Sequence, residues 1–369
     1  MIFVDGFPYE QLGKTPFLAS MATVSPLTPG FGYSVNLHME LFAGKTPDQV
    51  GYFGEWAMRS AGAPRSRVEA LIPLLGGVSK VSRFADKLLH FGLRKVFRWD
   101  TAYIPFEILG LFEKRGRYPM IQASHVQTIF DRYPFDMAIS DTVRAATGKK
   151  DAPTLAKAMD VIDRGAPQVF VSLCDLDGIS HEHGVNSAPY DQRLAVLDDE
   201  IKRLHDRFLE RHPDGLVVVL SDHGMANAHQ AVDLGLEKRF GPPRANGLVY
   251  FYDSLYLAVL SPDEAQLAEI RAYLADRPEG RLLSDAERAQ YGLTSPSFGQ
   301  LIFLLHEGFA FNPNYFGYHM LKGYHGYHPD CPSQKGIFLC SARVASPPRR
   351  NLEVHGFVTS LMDGVGSPA

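Results

Sequence analysis

Short apolar, β-prone runs punctuate the chain at residues 2–4, 168–174, 216–221, 248–252, 255–260 and 337–339, and the stretches between them carry apolar residues at helical spacing. A continuous apolar run is the pattern of a strand buried on both faces, and helices between such strands supply the cover. The alternation therefore predicts an α/β fold in three layers, α/β/α, around a mostly parallel central sheet. The clearest helix is expected over 190–211, where Leu194, Leu197, Ile201, Leu204 and Phe208 form one stripe among charged neighbours.

Between residues 54 and 153 the pattern breaks. Arg/Lys-rich amphipathic segments replace the alternation, most clearly from Lys87 to Trp99. This region is expected to be an inserted cap, leaving 1–53 and 154–369 as the core. A basic amphipathic segment can lie against a membrane surface or a substrate, but a helix packed by its apolar side with its charges in water is the simpler expectation. Composition adds constraints. With 45% hydrophobic and 21% charged residues in 369, the chain can bury a sizeable core. Its 37 Lys and Arg against 41 Asp and Glu give a formal net charge of −4. That excludes a broadly basic nucleic-acid-binding surface and requires any anionic ligand to be held by local cations. Cys174, Cys331 and Cys340 are too few and scattered for a disulfide framework or a thiolate zinc site, which fits a reducing compartment. The opening Met-Ile-Phe-Val-Asp-Gly leaves no room for a secretory leader, and no apolar run reaches the length of about 18 residues that a spanning helix needs. The expectation is a cytoplasmic location without a membrane span.

Three acid/histidine groups stand just after expected strands, where ligands of open α/β sheets bind. Asp5 follows the first run; alone it reads as readily as a turn former. In Cys174-Asp-Leu-Asp-Gly-Ile-Ser-His-Glu-His183, Asp177 and His181 lie four residues apart and can converge from one turn, a carboxylate and imidazole pairing that suits zinc. Asp175 and His183 are neighbours in that string. The adjacent pair Asp222 and His223 closes another apolar run, and Gly224 behind it permits close backbone approach; this is the most specific local signal in the chain. Far downstream, Gly323-Tyr-His-Gly-Tyr-His328 offers His325 or His328 to complete a site.

The order Asp, then Asp-x3-His, then Asp-His, then His-Gly resembles the alkaline phosphatase superfamily, particularly its nucleotide pyrophosphatase/phosphodiesterase branch. The resemblance covers the metal-binding framework over nearly the whole length, but not residues 54–153. It implies an alkaline phosphatase-like core and two divalent metal ions, zinc in the first place, with manganese the alternative. One ion would be held by Asp177, His181 and His325, the other by Asp5, Asp222 and His223. The family also places a Thr or Ser nucleophile at a helix start, ten residues before a glycine. Counting back from Gly44 lands on Ser34, which would also bind the second ion; His38 and Pro47 continue the likeness. Physically, Pro29-Gly-Phe-Gly-Tyr33 is a flexible lead-in, and a helix N-terminus offers N–H groups to a phosphate. Without the resemblance Ser34 reads most simply as a helix N-cap.

The implied function is two-metal hydrolysis of a small-molecule phosphate ester through a phosphoserine on Ser34. A phosphotransferase or phosphomutase on the same framework, or a non-catalytic metal-binding relative, are the alternatives. Two departures bear on substrate. Family phosphodiesterases hold a phosphoryl oxygen with an asparagine downstream of the nucleophile; Gly51-Tyr-Phe-Gly-Glu-Trp56 contains none, and Asn36 is the substitute considered. The arginine with which phosphomonoesterase relatives bind a doubly charged phosphate is not identifiable, so monoester against diester preference stays open. Ser346-Pro-Pro-Arg-Arg350 matches the string that sulfatases of the superfamily modify, but it follows the last metal histidine instead of lying near the first strand, and reads as a chance match.

Overall fold

The computed structural model describes residues 1–59, 83–96, 102–115, 126–139, 151–317 and 319–364. Residues 97–99 of the basic segment and 60–82 of the expected insertion lie outside that set. Six strands form the main sheet: β1 (Ile2–Val4), β2 (Thr23–Leu27), β3 (Asp136–Ile139), β4 (Val169–Leu173), β5 (Val218–Leu220) and β6 (Gly336–Cys340). Their order across the sheet is β2-β6-β5-β1-β4-β3. β1 pairs parallel with β4 and β5, β3 pairs parallel with β4, and β6 alone is reversed, antiparallel to β5 and β2. The mostly parallel sheet expected from the apolar runs is present, with β2 and β3 added at its edges. Both edge strands lack the long apolar run of a central one. β2 contains Pro26, which an edge tolerates because one side of its backbone has no partner strand, and β3 starts at the exposed Asp136.

Helices α1 (Ser34–Ala43), α2 (Asp151–Asp163), α3 (Asp175–His183), α4 (Ala188–Arg211) and α5 (Asn351–Met362) flank this sheet. Successive strand residues point to opposite faces, so each run feeds two cores. Ile2, Val4, Val169, Val171, Leu173, Val219, Ile337 and Leu339 pack with Val161 and Ile162 of α2 and with Leu194, Leu197, Ile201 and Leu204 of α4. Phe3, Phe170, Val218, Leu220 and Phe338 pack on the other face with Leu41 and Phe42 of α1 and Val354 and Val358 of α5. Each such buried side chain contributes about 1.5–3 kcal/mol relative to exposure, which holds the strand tips in a fixed frame.

The chain divides into two compact units, one made of Met1–Val50, Gly116–Ala228 and Leu321–Ala369, the other of Gly51–Arg115 and His229–Met320. This division is drawn differently from the expected 54–153 insertion: β3 falls within that span yet pairs with β4, whereas residues 229–320, expected in the core, fall in the second unit. The second unit holds a four-stranded sheet in the order Val249–Tyr252, Tyr256–Leu260, Leu301–Leu305, Gly280–Leu282, every neighbour antiparallel. The runs expected at 248–252 and 255–260 are indeed strands, but they form a hairpin, because the three residues between them cannot supply the crossover that a parallel pair needs. The helix Glu264–Ala275 covers this sheet through Leu267, Ile270 and Leu274. In the same unit the basic helix Arg83–Val96 buries His90 and Leu93 but leaves Leu88 55% and Phe91 61% exposed, so only part of its apolar side is packed. Among the described residues no helix is long and apolar enough to cross a membrane.

Candidate active site

Parallel pairing puts the C-terminal ends of β1, β4 and β5 along one edge, and each is followed at once by acidic residues. Asp5 comes directly after β1, α3 begins one residue beyond β4, and Ser221, Asp222 and His223 follow β5. Gly6 has φ +66°, and a Cβ there would lie 2.9 Å from Asp177 Oδ1, so the first two loops can close on each other only around a glycine. One turn of α3 presents Asp177 and His181 together, with 3.4 Å between Oδ1 and Nε2. The downstream histidine arrives through a short antiparallel pairing of Gly323–Tyr324 with Ala226–Asn227. His325 is thereby stacked on His223, ring centroids 3.5 Å apart and planes within 5°.

Two groups of ligand-type atoms result, Asp5 with Asp222 and His223, and Asp177 with His181 and His325, the atoms within each group all lying within 4.8 Å of one another. His223 Nε2 is 3.3 Å from Asp5 Oδ1 and 3.4 Å from Asp222 Oδ2, and His325 Nε2 is 3.9 Å from Asp177 Oδ1. Ligands placed tetrahedrally at zinc's usual bond length stand roughly 3.3 Å from one another, close to these spacings. The imidazoles are also oriented for it. His223 Nδ1 donates to the Gly224 carbonyl and His181 Nδ1 to the Gly323 carbonyl, both at 2.8 Å, which turns each Nε2 lone pair toward its group. Asp222 is fully buried with neither carboxylate oxygen hydrogen-bonded, an arrangement that a cation relieves. The residues present therefore fit divalent ions. A third group, Asp151, Cys174 and Asp175, is different. Asp151 accepts from the Cys174 and Asp175 N–H groups at 2.8 and 3.2 Å and from Arg193 at 2.8 Å, so its charge is already met and it secures the start of α3. The Asp175 carboxylate in turn accepts from the Asp151 N–H at 3.1 Å, which ties it to this third group. His183 stands beside Glu182, and His328 Nδ1 accepts from the Asp330 N–H, so neither joins them.

Ser34 opens α1 with its Oγ 3.0 Å from His223 Nε2 and 3.4 Å from Asp5 Oδ1. The hydroxyl thus stands against the Asp5/Asp222/His223 group. The N-cap is Tyr33, one residue earlier than the simplest reading. Asn36 corrects an expectation. It is 1% exposed, its Oδ1 accepts from the Tyr33 N–H at 2.9 Å and its Nδ2 donates to the Phe31 carbonyl at 2.8 Å. Both polar atoms help shape the lead-in loop, and burial keeps the amide's remaining N–H out of a substrate's reach. His38 is buried between Phe3 and Phe42, its Nε2 3.6 Å from Asp222 Oδ2. Residues without a local sequence signal complete the surroundings. Glu40 accepts from the Gly30 N–H at 2.9 Å, and Asn351 Nδ2 donates to the Asp222 carbonyl at 2.8 Å. Ser221 Oγ accepts from the Phe7 N–H and donates to the His223 carbonyl. Only Glu40 offered a hint, as an acid inside the apolar run of α1.

Electrostatics follow from burial and crowding. Asp222 is pushed up, first by burial, with His223 opposing and the charges of Asp5 and Asp177 adding. Burial works to lower His223, but Asp222, Asp5 and Asp177 together push it up to about 10. His325 is held well below its ordinary value by burial and then by its imidazole neighbours. Three carboxylates converging on a buried volume hold positive charge there, as a proton on His223 or as a metal ion in its place.

The sequence profile of the type I phosphodiesterase/nucleotide pyrophosphatase family matches residues 1–328. No curated protein matches the chain by sequence. Among solved structures, human ectonucleotide pyrophosphatase/phosphodiesterase 5 is similar with a TM-score of 0.67 at 13% identity, covering 98% of this chain and 94% of that one. The murine counterpart gives 0.64 at 15% identity, covering 98% and 95%. An inactive variant of the murine protein in complex with AMP gives 0.63 at 16% identity, covering 98% and 94%. At such identities the structural likeness is one of fold. With the family profile spanning most of the chain, the protein belongs to the type I phosphodiesterase/nucleotide pyrophosphatase family, hydrolases of phosphodiester and pyrophosphate bonds within the alkaline phosphatase superfamily.

Proposed function

We propose that this protein hydrolyses a small-molecule phosphodiester or pyrophosphate through a phosphoserine on Ser34, with two divalent ions of the zinc class. The observation that carries the reading is the position of Ser34 Oγ, at the first turn of α1 and within 3.4 Å of both Asp5 and His223. Asp5, Asp222 and His223 would hold one ion, and Asp177, His181 and His325 the other. Bound there, such ions supply charge neutralisation for the attacking and leaving oxygens of an in-line displacement at phosphorus.

Ser34 loses its proton to solvent, and its Oγ forms a bond to phosphorus as the bond to the leaving oxygen breaks. The departing alkoxide or phosphate takes up a proton. Water then attacks the phosphoserine, the Oγ–P bond breaks, and Ser34 is regenerated. The N-terminus of α1 favours the anionic phosphoryl group at this position. The murine neighbour is seen with AMP, so nucleotide diesters are the first natural substrates to try.

Ser34→Ala should abolish release of p-nitrophenol from bis(p-nitrophenyl) phosphate in the zinc-loaded protein and leave two bound equivalents of zinc. Undiminished turnover by that variant removes Ser34 from the mechanism.

A further inference from the structure

The family profile ends at residue 328, yet the chain returns to the site beyond it. Asn351, the first residue of α5, is fully buried. Its main-chain N–H donates to the Thr28 carbonyl at 3.0 Å, and its Nδ2 donates to the Asp222 carbonyl at 2.8 Å. The Thr28 N–H donates in turn to the Arg349 carbonyl at 2.8 Å, and Thr28 bridges Arg350. Thr28 opens the lead-in that delivers Ser34, and Asp222 belongs to the donor group that Ser34 faces. One residue therefore ties the backbone behind the nucleophile, through its main-chain N–H, to the backbone behind the carboxylate, through its side-chain amide. Its Oδ1 is buried without a hydrogen-bond partner.

We propose that Asn351 is a positioning residue that sets the separation between Ser34 and the Asp5/Asp222/His223 group. The inference rests on the metal-hydrolase reading above. It does not involve the Asp177/His181/His325 group, which Asn351 does not touch through either bond, and that asymmetry makes it testable. Asn351→Asp keeps the shape of the side chain but replaces the donor nitrogen with an oxygen facing the Asp222 carbonyl. Asn351→Ala removes the bond without adding charge. Outer residues that orient metal ligands typically contribute 10–100-fold to affinity or activity.

Competition of zinc against a chromophoric chelator, on the full-length protein and both variants, reads the two affinities separately. Chemical denaturation of the metal-free proteins runs alongside. The expected result is that one zinc equivalent weakens about 10–100-fold in both variants while the other is unchanged. Turnover of bis(p-nitrophenyl) phosphate should fall in kcat by a similar factor with KM little altered, and each metal-free variant should still unfold cooperatively, at a midpoint lowered by the loss of one buried hydrogen bond. Wild-type affinities and kcat in either folded variant overturn the positioning role alone. So does equal weakening of both zinc equivalents, or loss of the fold in both variants, since each marks a general structural role. A wild-type protein that binds no zinc overturns the hydrolase reading and this role with it.

Discussion

Asp222 sits where burial and charge pull in opposite directions. Its carboxyl is sealed from water beside the charges of Asp5 and Asp177, and burial is the larger of the forces that raise it above the ordinary carboxylate range. A group raised in the fold contributes stability that is complete below its unfolded value and is lost as pH climbs through its folded value. Metal-free wild type therefore carries an unfavourable buried carboxylate at alkaline pH. Asp222→Asn removes that charge while keeping the shape, so above pH 10, where His223 has lost its proton as well, the metal-free variant should unfold at a higher temperature than metal-free wild type. Adding zinc should reverse the order, because an amide is a poor substitute for a carboxylate ligand and the variant gains less from the ion. Calorimetry of both proteins with and without zinc reads the two signs; the same order in both conditions would count against a metal role for Asp222.

At the scale of elements, the lead-in from residue 28 to 33 is held against α1 by Glu40, whose Oε2 accepts from the Gly30 N–H. A Cβ at residue 30 would lie 1.7 Å from Glu40 Oε1, so Gly30→Ala should destabilise by about 1–3 kcal/mol through overpacking. Burial pushes Glu40 up from 4.5 to about 8, against the Gly30 N–H and the charge of Arg350. Between those two values the folded state holds a proton that the unfolded chain has released, so this carboxyl's contribution is complete below 4.5 and declines by up to about 1.4 kcal/mol per pH unit until 8. Glu40→Gln should lack that decline, and the stability of wild type relative to the variant should fall steadily from pH 5 to pH 8 in urea titrations. A pH-independent difference would put Glu40 in its charged form throughout. The contrast between Glu40 and the strand tips shows what a sequence exposes. Asp5, Asp177, Asp222 and His223 were legible because each follows an apolar run closely, a local relation. His325 needed the family resemblance, since its approach depends on residues 323–324 pairing with 226–227. Asn36 was misread because a buried capping amide and a substrate-facing one look alike in sequence; only the positions of Tyr33 and Phe31 distinguish them.

For the whole molecule, the division into two units was hidden for a related reason. Apolar runs such as 249–252 and 256–260 look the same whether they pair in parallel or as a hairpin, and the second unit joins segments that lie far apart in the chain. Its core, built on Tyr250, Leu257, Ile270 and Phe303, is separate from the two that sandwich the main sheet. Every residue of both candidate ligand groups belongs to the first unit. An ion stabilises only those states that keep its site intact, by about 2.7 kcal/mol when its concentration is one hundred times the dissociation constant. Opening of the first unit separates Asp5, Asp177, Asp222 and His325, which come from four distant stretches, and so must release the metal. Opening confined to the sheet of Val249–Tyr252, Tyr256–Leu260, Leu301–Leu305 and Gly280–Leu282 leaves all six ligands together. Zinc should therefore slow amide hydrogen exchange in β1, β4, β5 and α3 and leave the strands of the second unit exchanging at their metal-free rates. Mass spectrometry of exchanged peptides with and without zinc measures this directly. Protection spread equally over both units would mean that they unfold as one, and protection confined to the second would place the metal elsewhere.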